Sequence, residues 1–424
     1  MCRTLSPIST LPVELLAEIS LFTIQDETHI ADALRVSQIC ARWRRIAHST
    51  PQLWNRPLVV DVWSKGPVLD SLYASGLRDW LARSAPLTVP FVFNFEEEDM
   101  ILGSHPVHPS LPFWKELLSV APRWRSLETT LSGWLPWNFY LFGQLAGLSL
   151  SNLEDLSLSV NDRAGALEPF PATPRLRKLS LQVDDKDVCS NLHLPWTQLH
   201  EIDLTTEWPD SALHILSQCQ NLVRASFDMI PTSDDTPLRW TQEIVALKHL
   251  RILSLVFDPF EDSGSLYCMP LLDYVSAPEL EEFFMGFEED FRMDGVASLS
   301  AFIAHARSVT HFEVGCLAVG DVDNLIAALT YKDGAQVLLP CLHHLVLQDP
   351  ELDSDMSEIL ANMISSRWWK DAELVAPGHA PIPPPVARWT YLELGDNIME
   401  VVGAEMRVVQ SDDRFGGLFE CLKL

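Results

Sequence analysis

The sequence predicts an α/β protein in which a short N-terminal helical module precedes an irregular solenoid of repeats. Two observations support this: apolar residues have helical spacing near the N-terminus, and a Leu-x-x-Leu-x-Leu pattern recurs over much of the remaining chain. A chain of 424 residues exceeds what one hydrophobic core usually supports, so several domains or an elongated repeat are expected. Hydrophobic residues make up 47%, which is enough apolar material for a folded core.

Charge is divided unevenly along the chain. Residues 1–60 hold six Lys or Arg and five Asp or Glu, a net charge of +1. Residues 61–424 hold 24 Lys or Arg and 53 Asp or Glu, a net charge of −29. The two parts are therefore electrostatically distinct. The total of −28 disfavours nucleic-acid binding, because phosphate contacts need an excess of Lys and Arg on some face.

The first candidate helix is Leu11–Phe22. Pro12 lies in its first turn, where the missing N–H costs nothing. The apolar residues of this segment fall at i, i+1, i+4 and i+7, the stripe of an amphipathic helix: Leu15, Leu16, Ile19 and Phe22.

The second candidate helix is Ala31–His48, which we predict as one continuous element. Its apolar residues fall at intervals of three and four: Val36, Ile39, Cys40, Trp43, Ile46 and Ala47. This spacing places Cys40 in mid-helix on the apolar face, where packing is its expected role. Ser49-Thr50-Pro51 ends the helix before a Leu53-Trp54 pair.

Three segments in this order, Leu11–Ile19, Leu34–Ala47 and Pro51–Trp54, resemble an F-box. The chain is similar to the F-box-like proteins of mushroom-forming fungi, in which a Trp-Leu-x-Arg-Ser-x-x-x-Leu element follows. Trp80–Leu87 matches part of that element. The alternative is a helical hairpin whose apolar faces only pack on the next domain.

The resemblance implies a non-catalytic subunit of a ubiquitin ligase. In F-box proteins the helical module binds a Skp-type adaptor and, through it, a cullin, while the C-terminal domain presents a protein substrate. The residues implied are divided between adaptor contact and the core of the module: Leu11, Pro12, Leu15, Leu16, Ile19, Val36, Ile39, Trp43, Leu53 and Trp54. A core role is expected most for Trp43 and Ile46, and least for Pro12 and Leu15.

We expect the F-box-like module to occupy residues 1–60, and a connector with a helix and an acidic loop to occupy residues 61–122. The acidic loop is Glu96–Asp99, within an irregular stretch from Pro90 to Pro112. This stretch and the charge break predict that a fragment starting near Pro112 folds alone.

The repeat pattern starts at eight positions: Leu153, Leu176, Leu199, Leu222, Leu250, Leu280, Val309 and Leu342. A degenerate copy starts at Trp124, and a further copy starts at Trp389. Their spacings of 23, 23, 23, 28, 30, 29 and 33 residues resemble leucine-rich repeats, in which each copy supplies a short strand and stacked copies share one core. Residues 123–424 are therefore predicted to be a leucine-rich-repeat-like domain with a C-terminal cap, and with helices at Asp323–Leu329 and Met356–Ser366.

Residues between the apolar strand positions should line the concave face of such a solenoid, where repeat proteins commonly bind partners. The candidate substrate-binding residues are Asp155, Glu201, Asp203, Glu282, Phe284, His311 and Glu313. An acidic, partly aromatic surface would favour a basic partner. The rival interpretation is a repeat scaffold that binds proteins without any link to ubiquitin.

No motif for catalysis or cofactor binding occurs in the sequence, so we predict neither an enzyme nor a cofactor. His343 and His344 are expected to point to opposite faces of a strand, and His105 and His108 to lie in a loop, so no metal site is predicted. The eight cysteines form no Cys-x-x-Cys pair. Without a secretory signal or an apolar span, a cytoplasmic or nuclear protein without membrane contact is expected.

Overall fold

The computed structural model describes residues 7–25, 29–61, 66–95, 110–131, 143–145, 147–160, 172–183, 193–206, 208–229, 240, 244–257, 269–287, 296–315, 321–332, 337–348, 356–368, 386–394 and 422–423. The chain divides into two compact units. Unit 1 comprises residues 1–179 and 192–195, and unit 2 comprises residues 180–191 and 196–424. The sequence boundaries expected near residues 60 and 122 both lie inside unit 1.

The helices of unit 1 are α1 (Val13–Phe22), α2 (His29–Gln38), α3 (Ala41–His48), α4 (Pro67–Ser84) and α5 (Leu111–Ser119). The prediction of one continuous helix from Ala31 to His48 is wrong. Cys40 interrupts it with extended backbone, at φ −163° and ψ 174°. The apolar spacing continued across the break because α2 and α3 both pack on the same small core, and spacing reports the buried face rather than an unbroken helix.

Four parallel strands of unit 1 pair in chain order: β1 (Leu58–Asp61), β2 (Val89–Phe95), β3 (Trp124–Leu131) and β4 (Asp155–Val160). The segment expected to be a connector thus contributes α4, β2 and α5. The side chains of Val89, Phe91 and Phe93 are fully buried, which is the period-2 pattern of a strand with one face on a core. The acidic run Glu96–Asp99 lies outside the described residues.

The strand β5 (Lys178–Val183) spans the boundary between the units. Unit 2 holds β6 (Glu201–Thr206), β7 (Arg224–Met229), β8 (Val245–Ala246), β9 (Ile252–Phe257), β10 (Val275–Ser276), β11 (Glu282–Phe287), β12 (His311–Gly315), β13 (His344–Gln348), β14 (Tyr391–Leu394) and β15 (Leu422–Lys423). Apart from the separate β8–β10 pair, these strands form a parallel sheet in chain order. Every repeat predicted from the leucine pattern forms a strand.

One side of this sheet is apolar and buried. Seven strands, β6, β7, β9 and β11–β14, each contribute one residue to a continuous buried row: Ile202, Ala225, Leu253, Phe283, Phe312, Leu345 and Leu392. The ring of Phe283 lies 5.4 Å, between centroids, from that of Phe302. A helix therefore packs on the buried row at Phe283.

Unit 2 has four helices among its described residues: α6 (Pro209–Gln218), α7 (Val296–His305), α8 (Asp321–Leu329) and α9 (Met356–Ser366). Phe302 belongs to α7. The helices expected at Asp323–Leu329 and Met356–Ser366 are confirmed by α8 and α9. None of the described helices combines the length and the apolar character needed to cross a membrane.

The same pair of backbone hydrogen bonds recurs at the start of seven of the described strands, β5, β7, β9 and β11–β14. The carbonyl oxygen of His200 accepts the backbone N–H groups of Val223 and Arg224, at 2.8 and 3.0 Å. The same double acceptance recurs at six further carbonyls: Glu154, Val223, Arg251, Glu281, Thr310 and His343. The register is thus constant, although the connections between strands differ in length.

Candidate functional site

Helix α1 has an apolar stripe on the side that faces away from the core. Leu16 and Ser20 are fully buried, whereas Leu15 is 50% and Phe22 86% exposed, and Ile19 is partly exposed. We call Leu15, Ile19 and Phe22 the α1 stripe. Three large apolar residues on one exposed side indicate a surface that another molecule covers.

The residues implied by the F-box resemblance divide into two groups. Pro12, Leu15 and Ile39 are exposed, and Leu11 and Ile19 are partly exposed. The others lie in the core of unit 1: Leu16, Val36, Trp43, Leu53 and Trp54.

The sequence analysis did not include several exposed apolar side chains of the same module among the candidate adaptor contacts. These are Val13 and Phe22 on α1, and Ile30 and Leu34 on α2. Ile30 and Leu34 are four residues apart, so they lie on one side of α2. That spacing was visible in the sequence, but the stronger apolar row through Val36 concealed it.

Arginine side chains hold the three short helices together. Arg42 of α3 donates to the Leu11 carbonyl at 2.6 Å, and Arg44 donates to the Ser37 carbonyl at 3.1 Å. Ion–dipole bonds of this kind fix the direction in which each helix enters the module. They therefore determine where the α1 stripe points.

The Trp-Leu-x-Arg-Ser element of α4 packs against the end of the F-box-like segment. The rings of Trp54 and Trp80 meet edge to face at 4.9 Å, and the Trp54 indole N–H donates to the Ala47 carbonyl at 2.7 Å. Ser84 of the same element accepts a hydrogen bond from Arg123 at 2.8 Å. The element thus packs α4 against the helical module.

Cys40 is not a packing residue, contrary to the prediction from the sequence. It is exposed and occupies the N-cap position of α3. A hydrogen bond from the Trp43 backbone N–H lowers the pKa of the Cys40 thiol, with smaller effects from Arg42 and Arg44. Burial has the opposite effect on Cys219 and raises its pKa to about 12.

A second surface lies on the side of the unit 2 sheet opposite the buried row. We call it the outer face: the side chains of β6–β14 that alternate with the buried ones. Six carboxylates and one guanidinium occupy it, a net charge of −5 with histidine neutral: Glu201, Asp203, Asp228, Glu282, Glu313, Glu393 and Arg224. Lys423 of β15 is register-paired with Glu393.

Six of the seven predicted substrate-binding residues lie on the outer face. Glu201 and Asp203 are on β6, Glu282 and Phe284 on β11, and His311 and Glu313 on β12. The seventh, Asp155, starts β4 in unit 1. Part of the acidic excess of the chain therefore lies on one surface, the outer face.

The rings of the outer face form a ladder across β12–β14. His311 and His344 are 4.6 Å apart, and His344 stacks on Tyr391 at 4.2 Å, between ring centroids. Burial, followed by the charge of His311, lowers the pKa of His344. His344 is therefore neutral at physiological pH.

His343 and His344 do not diverge as the sequence suggested, because both rings lie within 5.3 Å of His311. His343 precedes β13, where the strand alternation does not yet apply. The Nδ1 atom of His343 shares a hydrogen bond of 2.8 Å with the Thr390 hydroxyl. In the part of the chain that the structure describes, no group of three His, Cys, Asp or Glu side chains could hold a metal ion.

Comparison with known families identifies the helical module. Residues 8–59 match the F-box-like family, which covers α1, α2, α3, β1 and the turn that ends at Trp54. F-box domains bind Skp-type adaptors of ubiquitin ligases. No curated protein matches the chain.

Proposed function

We propose that this protein is the substrate-recognition subunit of a Skp/cullin/F-box ubiquitin ligase. Its F-box-like module binds the Skp-type adaptor through the α1 stripe, and its repeated strands, a leucine-rich-repeat-like domain, capture a protein substrate. The chain itself catalyses nothing and works in the cytoplasm or the nucleus. The adaptor brings the cullin, which positions the substrate for ubiquitin transfer.

The observation that carries this proposal is the α1 stripe inside the segment that matches the F-box-like family. A monomeric protein rarely leaves Leu15 and Phe22 in water on one side of a helix. Burying two such side chains stabilises a complex by about 1.5–3 kcal/mol each. Ile39, 60% exposed beside the break between α2 and α3, offers a further contact.

The test is co-purification of the adaptor with stripe variants. Leu15→Asp and Phe22→Asp should each abolish adaptor binding and leave the circular dichroism spectrum unchanged, since both side chains are exposed. The matched control is Val68→Asp on α4, which is 80% exposed and outside the F-box-like segment. Leu16→Asp is unsuitable because Leu16 is fully buried, and a carboxylate there would unfold the module.

Adaptor binding that survives both stripe substitutions would contradict the proposed docking surface. Full-length protein that captures neither adaptor nor cullin, yet still binds other proteins, would instead indicate a repeat scaffold unconnected to ubiquitin.

A further inference from the structure

The outer face has a distinctive composition where it crosses β11–β14. Three carboxylates and four rings lie there in two register rows from β11 to β14: Glu282, His311, His344 and Tyr391 form the first row, and Phe284, Glu313, Val346 and Glu393 form the second. The Tyr391 hydroxyl donates a hydrogen bond to the Glu393 carboxylate. Rings and carboxylates therefore lie side by side on neighbouring strands.

We propose that this part of the outer face binds an arginine-bearing segment of the captured protein. The inference rests on the proposed function, since it names the substrate class of the repeat domain. Guanidinium is the one side-chain cation that can both pair with a carboxylate through two parallel hydrogen bonds and stack flat on a ring. A lysine ammonium can neutralise the carboxylates but gains less from the rings.

Charge complementarity excludes acidic partners. The outer face carries a net charge of −5 over β6–β14, where its one guanidinium among the described positions, Arg224, lies two strand positions away from β11. On the other side of the patch, Lys423 of β15 is register-paired with Glu393, so the charge of the patch and its two neighbouring cations together stays negative over β6–β15. Burial, together with the charge of Glu393, raises the pKa of Glu313. A bound cation would offset the repulsion between Glu313 and Glu393.

The dimensions suit a short extended segment. Neighbouring strands lie about 4.8 Å apart, so the three spacings from β11 to β14 measure about 14 Å. An extended chain advances about 3.3 Å per residue, so roughly four residues span the patch. Glu313 and Glu393 are two strands apart, which corresponds to arginines about three residues apart.

The experiment measures the affinity of the full-length protein for a fluorescein-labelled nona-arginine peptide by fluorescence anisotropy. The patch variant Glu282→Gln/Glu313→Gln/Glu393→Gln should bind the peptide about tenfold more weakly, as expected for the loss of three partly exposed ion pairs. The control variant Glu154→Gln/Glu279→Gln/Glu358→Gln removes the same charge from exposed positions away from the patch. It should change the affinity by less than about twofold.

A second arm separates arginine recognition from simple attraction of positive charge. Nona-lysine should bind the unmodified protein about threefold more weakly than nona-arginine. The ring variant His344→Leu/Tyr391→Leu should remove this difference by weakening only the nona-arginine complex.

Equal losses in the patch and control variants, or equal affinities for the two peptides, would overturn the proposal. Adaptor co-purification is measured on the same protein batches. Adaptor binding without patch-dependent peptide binding would refute this inference alone, whereas the reverse result would refute the ubiquitin-ligase role and leave the arginine site standing.

Discussion

The guanidinium of Arg83 lies over the indole of Trp54, 4.6 Å from the ring centroid. Trp54 ends the F-box-like segment, and Arg83 belongs to the Trp-Leu-x-Arg-Ser element of α4. This cation–π contact, with the Trp54–Trp80 ring contact beside it, joins the helical module to the remainder of unit 1. The module is thus integrated into the structure that follows it.

The first prediction concerns this junction. Trp80→Ala should lower the free energy of unfolding by about 3–5 kcal/mol, because it removes a buried indole and leaves a cavity against Trp54. Urea denaturation measured by tryptophan fluorescence and circular dichroism checks the value. Tyr73→Ala on the exposed side of the same helix is the control and should cost little. Equal midpoints for the two variants would show that the indole contact contributes nothing to stability.

The second prediction reverses an expectation from the sequence. A fragment starting near Pro112 loses β2, which pairs with β3, and the rings of Phe91 and Phe93, which lie 5.5 and 5.7 Å from Trp124. An exposed strand edge beside an uncovered indole should make the fragment aggregate. Size-exclusion chromatography beside the full-length chain tests this. A monomeric fragment that unfolds cooperatively would show that β3 needs no neighbour.

The third prediction concerns Arg367, which is fully buried in unit 2. Its guanidinium donates to the carbonyls of Leu329, Leu338 and Leu339 at 2.9, 2.6 and 2.9 Å. Burial lowers the pKa of Arg367 to about 10, so the group stays charged at neutral pH. Arg367→Met should cost at least about 3 kcal/mol, because three carbonyls lose their donor.

Thermal and urea unfolding measure that loss. Arg367→Lys should also destabilise the protein, since one ammonium cannot reach three carbonyls in different directions. The control is Arg307→Met at an exposed position, which should unfold like the unmodified protein. Unfolding of Arg367→Met at the control midpoint would show that the three hydrogen bonds of Arg367 do not stabilise unit 2.

The fourth prediction uses the pKa values of two cysteines. The Trp43 backbone N–H lowers the pKa of the Cys40 thiol from its ordinary value, which favours the reactive thiolate, whereas burial raises the pKa of Cys219 to about 12. At neutral pH, iodoacetamide should therefore alkylate Cys40 well before Cys219. Site-resolved mass spectrometry follows the alkylation of Cys40 and Cys219. Cys341, which is exposed, is the reference for the effect of solvent access alone. Alkylation of Cys40 slower than that of Cys341 would contradict the effect of the helix N-terminus.

Much of the sheet could be predicted from the sequence because the signal was local. Ile202 and Leu204 alternate with polar positions within a single strand, and one strand suffices to show which side is buried. The same alternation placed Glu282 and Glu313 on the opposite side. The stacking of His344 on Tyr391 could not be predicted, since it depends on which strands are neighbours and 47 residues separate the two positions.

The helical module was harder to predict because its apolar residues serve two purposes. Leu15 and Leu16 are adjacent and equally apolar, but one is exposed and the other buried. Spacing marks both as members of a stripe and cannot say which side meets the core. Only the packing of α1 on α3, fixed by Arg42, separates the two roles.

The repeated double acceptance at carbonyls such as His200 and Thr310 has an evolutionary consequence. The bonds that align the strands involve only backbone atoms, so they make no demand on the identity of the outer side chains. Residues on the outer face can mutate, and the connections between strands can lengthen, while the strand register stays the same. A lineage could therefore diversify its targets by changing outer residues one at a time, with little loss of stability at each step.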